Sequence, residues 1–107
     1  MKVLNYGSLN VDYVYSVDHI IVGGETQHSS KLEVFSGGKG LNQSIALAKA
    51  GVPVYHAGIV GTDGDILLEA CKEAGVNTKY IRRLPVKGGH TMIQVDKNAQ
   101  NCIILYG

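Results

Sequence analysis

Seven residues, Ser36-Gly37-Gly38-Lys39-Gly40-Leu41-Asn42, place three glycines and one cation directly before an apolar-periodic run. Leu41, Ile45 and Ala48, with Leu47 beside them, follow at helical spacing, and Gly51-Val52-Pro53 stops the run. Glycines let main-chain N–H groups come close to a bound molecule, and a helix N-terminus offers unpaired donors and partial positive charge. The segment therefore predicts a cradle for an oxygen-rich ligand: a sugar, a carboxylate or a phosphate. A glycine turn with a helix cap is the plainer reading of the same residues.

Two familiar phosphate loops do not fit. The P-loop requires Ser or Thr after its Gly-Lys to hold magnesium, and Lys39 is followed by Gly40. The dinucleotide fingerprint requires a third glycine where Gln43 stands, and the segment does not leave a parallel strand directly.

The rest of the chain alternates β and α. Val3 to Tyr6 reads as a first strand and Asp12 to Val17 as a second, with Tyr13, Tyr15 and Val17 on one face. Lys31 to Phe35 is expected to pair with the second. Val54 to Val60 reads as a buried parallel strand, Ile66 to Ala74 as a helix, and Tyr80 to Arg82 as a short strand. Asp63-Gly64-Asp65 is expected to cap that helix. After Lys87-Gly88-Gly89, Thr91 to Val95 and Cys102 to Tyr106 flank a polar turn and predict a hairpin.

Composition narrows the function class. A hydrophobic fraction of 45% and a formal net charge of +1 exclude disorder and a basic nucleic-acid surface. No membrane segment or signal peptide is visible, so the expected location is the cytoplasm. Cys71 and Cys102 form no CxxC unit and are expected to be buried free thiols. His19, His28, His56 and His90 lack the spacing of a helical zinc pair, and no nucleophile elbow is present.

Gly37, Gly38, Gly40, Asn42, Ser44, Gly51 and Gly61 together resemble the first motif of the ribokinase-like carbohydrate kinases, the PfkB family. Gly7-Ser8-Leu9-Asn10-Val11-Asp12 resembles that family's first-strand motif. Gly24-Glu25-Thr26 resembles its Gly-Glu-Thr segment, although Gly23 stands where proline is usual, and Gly61-Thr62-Asp63-Gly64 also fits. The resemblance implies a partial ribokinase-like three-layer α/β sandwich with a projecting antiparallel β lid, built from strands at about 12–17, 31–35, 91–95 and 102–106. It implies an ATP-dependent kinase that transfers the γ-phosphate to a sugar hydroxyl.

On that resemblance, Asn10, Asp12, Gly37, Gly38, Lys39, Gly40 and Asn42 form the sugar-binding set. By the residues alone, Asn10 and Asp12 fit an Asx-turn equally well. Family kinases are roughly three times as long, above the common domain size. Residues 1–107 are therefore expected to be the N-terminal part of a kinase domain, and the Gly-Ala-Gly-Asp segment that supplies the catalytic base has no counterpart in them. ATP and Mg2+ are the implied cofactors of the complete enzyme, with room for a monovalent cation. A pentose is the favoured sugar and a homodimer through the lid the expected assembly. A non-catalytic sugar-binding or dimerisation module, or a kinase for a nucleoside or another sugar, remains open.

Overall fold

The computed structural model describes all residues from Met1 to Gly107. Seven strands and two helices follow one another as β1 (Val3–Tyr6), β2 (Asn10–Ser16), β3 (Lys31–Gly37), α1 (Lys39–Lys49), β4 (Val54–Val60), α2 (Asp65–Ala74), β5 (Asn77–Arg83), β6 (His90–Val95) and β7 (Asn101–Tyr106). They form two sheets. A parallel sheet runs β1-β4-β5, and a second sheet runs β3-β2-β6-β7.

The parallel sheet is the body. Its strands are joined by crossovers through α1 and α2, and a steadily advancing strand order with right-handed crossovers puts both helices on one face. Val54, His56 and Val60 of β4 are buried on that face, together with Leu41 of α1 and Leu67 and Cys71 of α2. The other face is bare and apolar: Leu4 is 62% exposed, Tyr6 82% and Ile59 53%. Parallel sheets are normally covered on both faces, so this is the unfilled side of a three-layer sandwich.

The second sheet projects from the body, which accounts for the elongated extents of 52 × 31 × 17 Å. β2–β3 and β6–β7 pair antiparallel, as the sequence predicts, whereas the inner pair β2–β6 is parallel, with Asp12 opposite Thr91. The parallel pair arises because β2 and β6 both leave the body in the same direction.

Several local expectations shift. β3 continues to Gly37, and β5 occupies seven residues where only Tyr80 to Arg82 reads as strand. Parallel pairing with β4 recruits the polar residues Asn77 to Lys79, which local propensity gives to a loop. β2 starts two residues before the expected Asp12 and ends at Ser16, so Asn10 is the strand's first residue and Asp12 lies within it. Cys71 is buried, but Cys102 is exposed, because β7 is the edge strand of its sheet and all its residues are open to solvent. Asp63-Gly64-Asp65 does not cap α2 by a side chain: Gly64 holds the cap position with no side-chain hydrogen bond, and Asp65 lies in the first turn, where it pairs with Arg83.

Candidate functional site

The three glycines of the opening motif each meet a different obstacle. A side chain on Gly37 would collide with the Asp12 carboxylate, which lies across it. Gly38 has φ +104°, open to glycine, and a Cβ there would sit 2.6 Å from the Ser8 carbonyl oxygen. A Cβ on Gly40 would sit 2.5 Å from Gly7 C and Ser8 N. The glycine spacing thus lets the first turn of α1 press directly on the Gly7–Ser8 backbone.

This contact changes what the helix end offers. The Leu41 N–H donates to the Ser8 carbonyl at 3.0 Å, the Gly40 N–H to Ser8 Oγ at 3.4 Å, and the Asn42 N–H to the Gly38 carbonyl at 3.0 Å. The first two of these donors, expected from sequence to be free for a ligand, are consumed by the β1–β2 connection, and the third closes the helix's own first turn. The helix also starts earlier than the periodicity suggests, so Lys39, Gly40 and Asn42 lie in its first turn, with Lys39 and Asn42 exposed.

Asn10, Asp12, Gly37 and Gly38 do come together. Asn10 faces Gly37 across the β2–β3 ladder, and the Asp12 side chain fills the space above Gly37. Two partners missed in the sequence complete this edge. Thr91 Oγ1 donates to Asp12 Oδ1 at 2.6 Å, and Gly89 lies so close that a Cβ on it would sit 2.6 Å from Asn10 Oδ1. The glycine pair ahead of a β run was the available signal for Gly89; nothing local marks Thr91, since its partner lies 79 residues away.

Beneath the glycines runs a buried polar chain that the sequence also conceals. Asn5 Nδ2 donates to the Gly40 carbonyl and to Ser44 Oγ, each at 2.9 Å. Ser44 Oγ lies 2.6 Å from His56 Nδ1, and His56 Nε2 lies 3.0 Å from the Gly7 carbonyl. A carbonyl only accepts, so Nε2 carries the proton and Nδ1 accepts from Ser44. His56 and Ser44 are fully buried, and the chain ties β1, α1 and β4 to the Gly7 end of the site.

A third cluster fixes the β5–β6 connection. Asp63 Oδ1 accepts the Gly88 N–H at 3.0 Å, while its Oδ2 accepts the Tyr13 hydroxyl at 3.4 Å and lies 3.5 Å from Lys87 Nζ. Lys87 Nζ also donates to the Tyr13 hydroxyl at 3.0 Å and sits over that ring. The bond to Tyr13 pushes the Lys87 ammonium above its ordinary pKa. Desolvation works to raise the Asp63 carboxyl, but the Gly88 N–H and Lys87 outweigh it and hold the group below the usual carboxylate value.

A cavity of about 600 Å3 opens beside this edge, lined by Ser8, Asn10, Gly61, Lys87, Gly89 and Tyr106 among others. Of the expected sugar-binding set, Asn10 alone lines it. Nowhere in the chain do three or more His, Cys, Asp or Glu side chains gather as metal ligands. Ser8 takes the Gly40 and Leu41 N–H groups at the start of α1, which leaves that helix end fewer donors for a phosphate.

The family described as pfkB family carbohydrate kinase matches residues 1–107. The chain belongs to that family. A ribokinase of Staphylococcus aureus is 39% identical over 110 residues, covering 99% of this chain and 36% of its own length. A deoxyribokinase of Salmonella typhi is 31% identical over 108 residues, covering 98% of this chain and 35% of its own. Among solved structures, a ribokinase from Cryptococcus neoformans in complex with ADP superposes with a TM-score of 0.91 at 36% identity, over 98% of this chain and 34% of that one. Arabidopsis thaliana ribokinase complexed with ribose and ATP gives a TM-score of 0.87 at 31% identity, over 98% of this chain and 35% of its own. The fold of the family member is thus a partial ribokinase-like α/β fold, and it spans about a third of the length of the relatives it matches. No helix is long and apolar enough to cross a membrane.

Proposed function

We propose that residues 1–107 are the sugar-binding N-terminal part of an ATP-dependent carbohydrate kinase, with a pentose as substrate. The observation that carries this reading is the convergence of Asn10, Asp12, Gly37 and Gly38 at the junction of the two sheets. Asp12 accepts hydrogen bonds from two sugar hydroxyls, and Asn10 both donates and accepts. Gly37 leaves room for the Asp12 carboxylate and Gly38 for the Ser8 carbonyl, Gly40 seats the helix, and Asn42 and Lys39 offer polar groups on its exposed first turn. A site that pairs every hydroxyl discriminates strongly against analogues lacking one.

In phosphoryl transfer the protein contributes position and charge stabilisation. This part holds the sugar so that one hydroxyl points at the γ-phosphate. By analogy with the family, the base, the anion hole, most of the nucleotide pocket and any monovalent-cation site belong to sequence outside residues 1–107. MgATP supplies the phosphoryl group, and the cytoplasm is the proposed location. The bare face bearing Leu4, Tyr6 and Ile59 is the surface on which that further sequence packs.

The projecting sheet acts as the lid, and a homodimer forms through it. Phe35 is 47% exposed, Ile103 56% and Leu105 65%, and the ladders put all three on one face. Exposed apolar strands of this kind seek a partner, and a two-fold pair is the simplest closed one. A sugar panel tests the functional reading: the longest protein that contains this chain is assayed for ATP-dependent phosphorylation of ribose, 2-deoxyribose, fructose and nucleosides. Ribose should be the best substrate, and turnover of nucleosides alone would overturn the pentose assignment.

A further inference from the structure

The Asp12 carboxylate is confined from two directions, and only one of them belongs to the glycine motif. On one side it lies across Gly37, where the missing side chain leaves room for it. On the other, Thr91 Oγ1 reaches Oδ1 at 2.6 Å. Asp12 and Thr91 stand directly opposite one another in the parallel β2–β6 ladder, so their side chains leave the sheet on the same face.

The chemistry of the contact is one-directional. A carboxylate only accepts, so the threonine hydroxyl donates, and a bond this short to an ionised acceptor is of the stronger, charge-assisted kind. The torsion that turns a carboxylate is broad and imposes little orientation of its own. Thr91, by contrast, is β-branched and stiff, and only 9% exposed, so its hydroxyl has little access to water as an alternative partner. It fixes the plane of the Asp12 carboxylate, with Oδ2 lying over Gly37, where no side chain stands.

We infer that Thr91 is a positioning residue for sugar recognition: its hydroxyl sets the Asp12 carboxylate in the orientation that accepts the sugar hydroxyls. The inference rests on the reading of Asp12 as a sugar ligand. It also gives the lid a part in selecting substrate, since Thr91 belongs to β6 and Asp12 to β2, and displacing one strand from the other disorders the acceptor before any direct contact is lost.

The test uses the longest protein that contains the chain, with ribose as the probe and calorimetric Kd and thermal melting as readouts. Thr91→Val keeps the shape and removes the hydroxyl; Thr91→Ser keeps the hydroxyl on a smaller residue; Thr91→Ala lacks both. Loss of a hydrogen bond to a charged group corresponds to about a tenfold or greater weakening. The expected result is that Val and Ala bind ribose at least tenfold more weakly and that Ser stays near wild type, irrespective of their melting temperatures. Should Thr91→Val fail to fold, the Ser and Ala pair decides alone. Equal binding by Ser and Ala, or wild-type binding by Val, overturns the inference. Asp12→Asn separates the two levels: weakened binding there with intact binding in Thr91→Ala rejects the role of Thr91 only, whereas unaffected binding in Asp12→Asn rejects Asp12 as a ligand and the inference with it.

Discussion

Replacing Gly40 by alanine tests whether the glycines are spaced for backbone contact. The new Cβ would lie 2.5 Å from Gly7 C and Ser8 N and 2.6 Å from Gly7 Cα. All three are main-chain atoms, held in place by the His56 bond to the Gly7 carbonyl and the Leu41 bond to the Ser8 carbonyl, so they cannot swing aside as a side chain would. Overpacking of this kind costs about 1–3 kcal/mol, and a rigid backbone obstacle belongs at the upper end. Alanine's better helix propensity returns at most about 1 kcal/mol. The net expectation is a loss of about 2 kcal/mol, or a fall in Tm of about 8–16 °C for a domain of this size. Gly23→Ala is the control: nothing lies within 4 Å of its added Cβ, so it should be neutral or stabilising by up to about 1 kcal/mol. Urea unfolding of the two variants side by side reads the difference. If Gly40→Ala is as harmless as Gly23→Ala, the close crossing of α1 over the Gly7–Ser8 connection is wrong.

Three further outcomes follow from the same geometry. The Asp63 carboxyl is held below its ordinary value of 3.8, so its contribution to stability is full above that pH and disappears as pH falls through the depressed folded value. Asp63→Asn should remove this part of the acid limb from a pH series of melting temperatures, and an unchanged acid limb would refute the Gly88–Lys87 clamp. Ile103→Lys, on the exposed face of the edge strand, should shift a lid dimer toward monomer in light scattering over a concentration series; a wild-type protein that stays monomeric at high concentration would end the dimer proposal. Residues 1–107 produced by themselves should release no ADP in a ribose-dependent manner, because they carry no matching base or metal-ligand cluster, and turnover by a mass-verified sample would contradict that.

The elements were legible where local pattern and tertiary role agree. β1 and β4 fall on their apolar runs, and α2 differs from its expected start by one residue, because a buried stripe and a strand between glycines need no distant partner to be recognised. The family motif named the cradle residues, and the structure brings Asn10, Asp12, Gly37 and Gly38 together. Their surroundings were not legible. Thr91 reaches Asp12 across 79 residues, and His56 meets the Gly7 carbonyl across 49, so neither pairing leaves a trace in local periodicity. Asp63 shows the opposite failure: its place before a helix suggested a cap, but the Gly88 N–H competes for the same oxygen and wins. The glycines were read as making room for a ligand, whereas Gly38 and Gly40 chiefly make room for the chain's own Ser8 and Gly7.

A ribose titration followed by two-dimensional amide NMR, on the longest protein containing the chain and on its Asp12→Ala variant, tests the sugar cradle most directly. Losing a charge-assisted hydrogen bond is worth about 1.5–3 kcal/mol, so the variant should bind roughly ten- to a hundredfold more weakly while its unliganded spectrum stays folded. In the wild type the account predicts ribose-dependent shifts at Asn10, Asp12, Gly37, Gly38 and Asn42. Saturable ribose binding that leaves those amides unmoved, or that survives Asp12→Ala at full affinity, would contradict it.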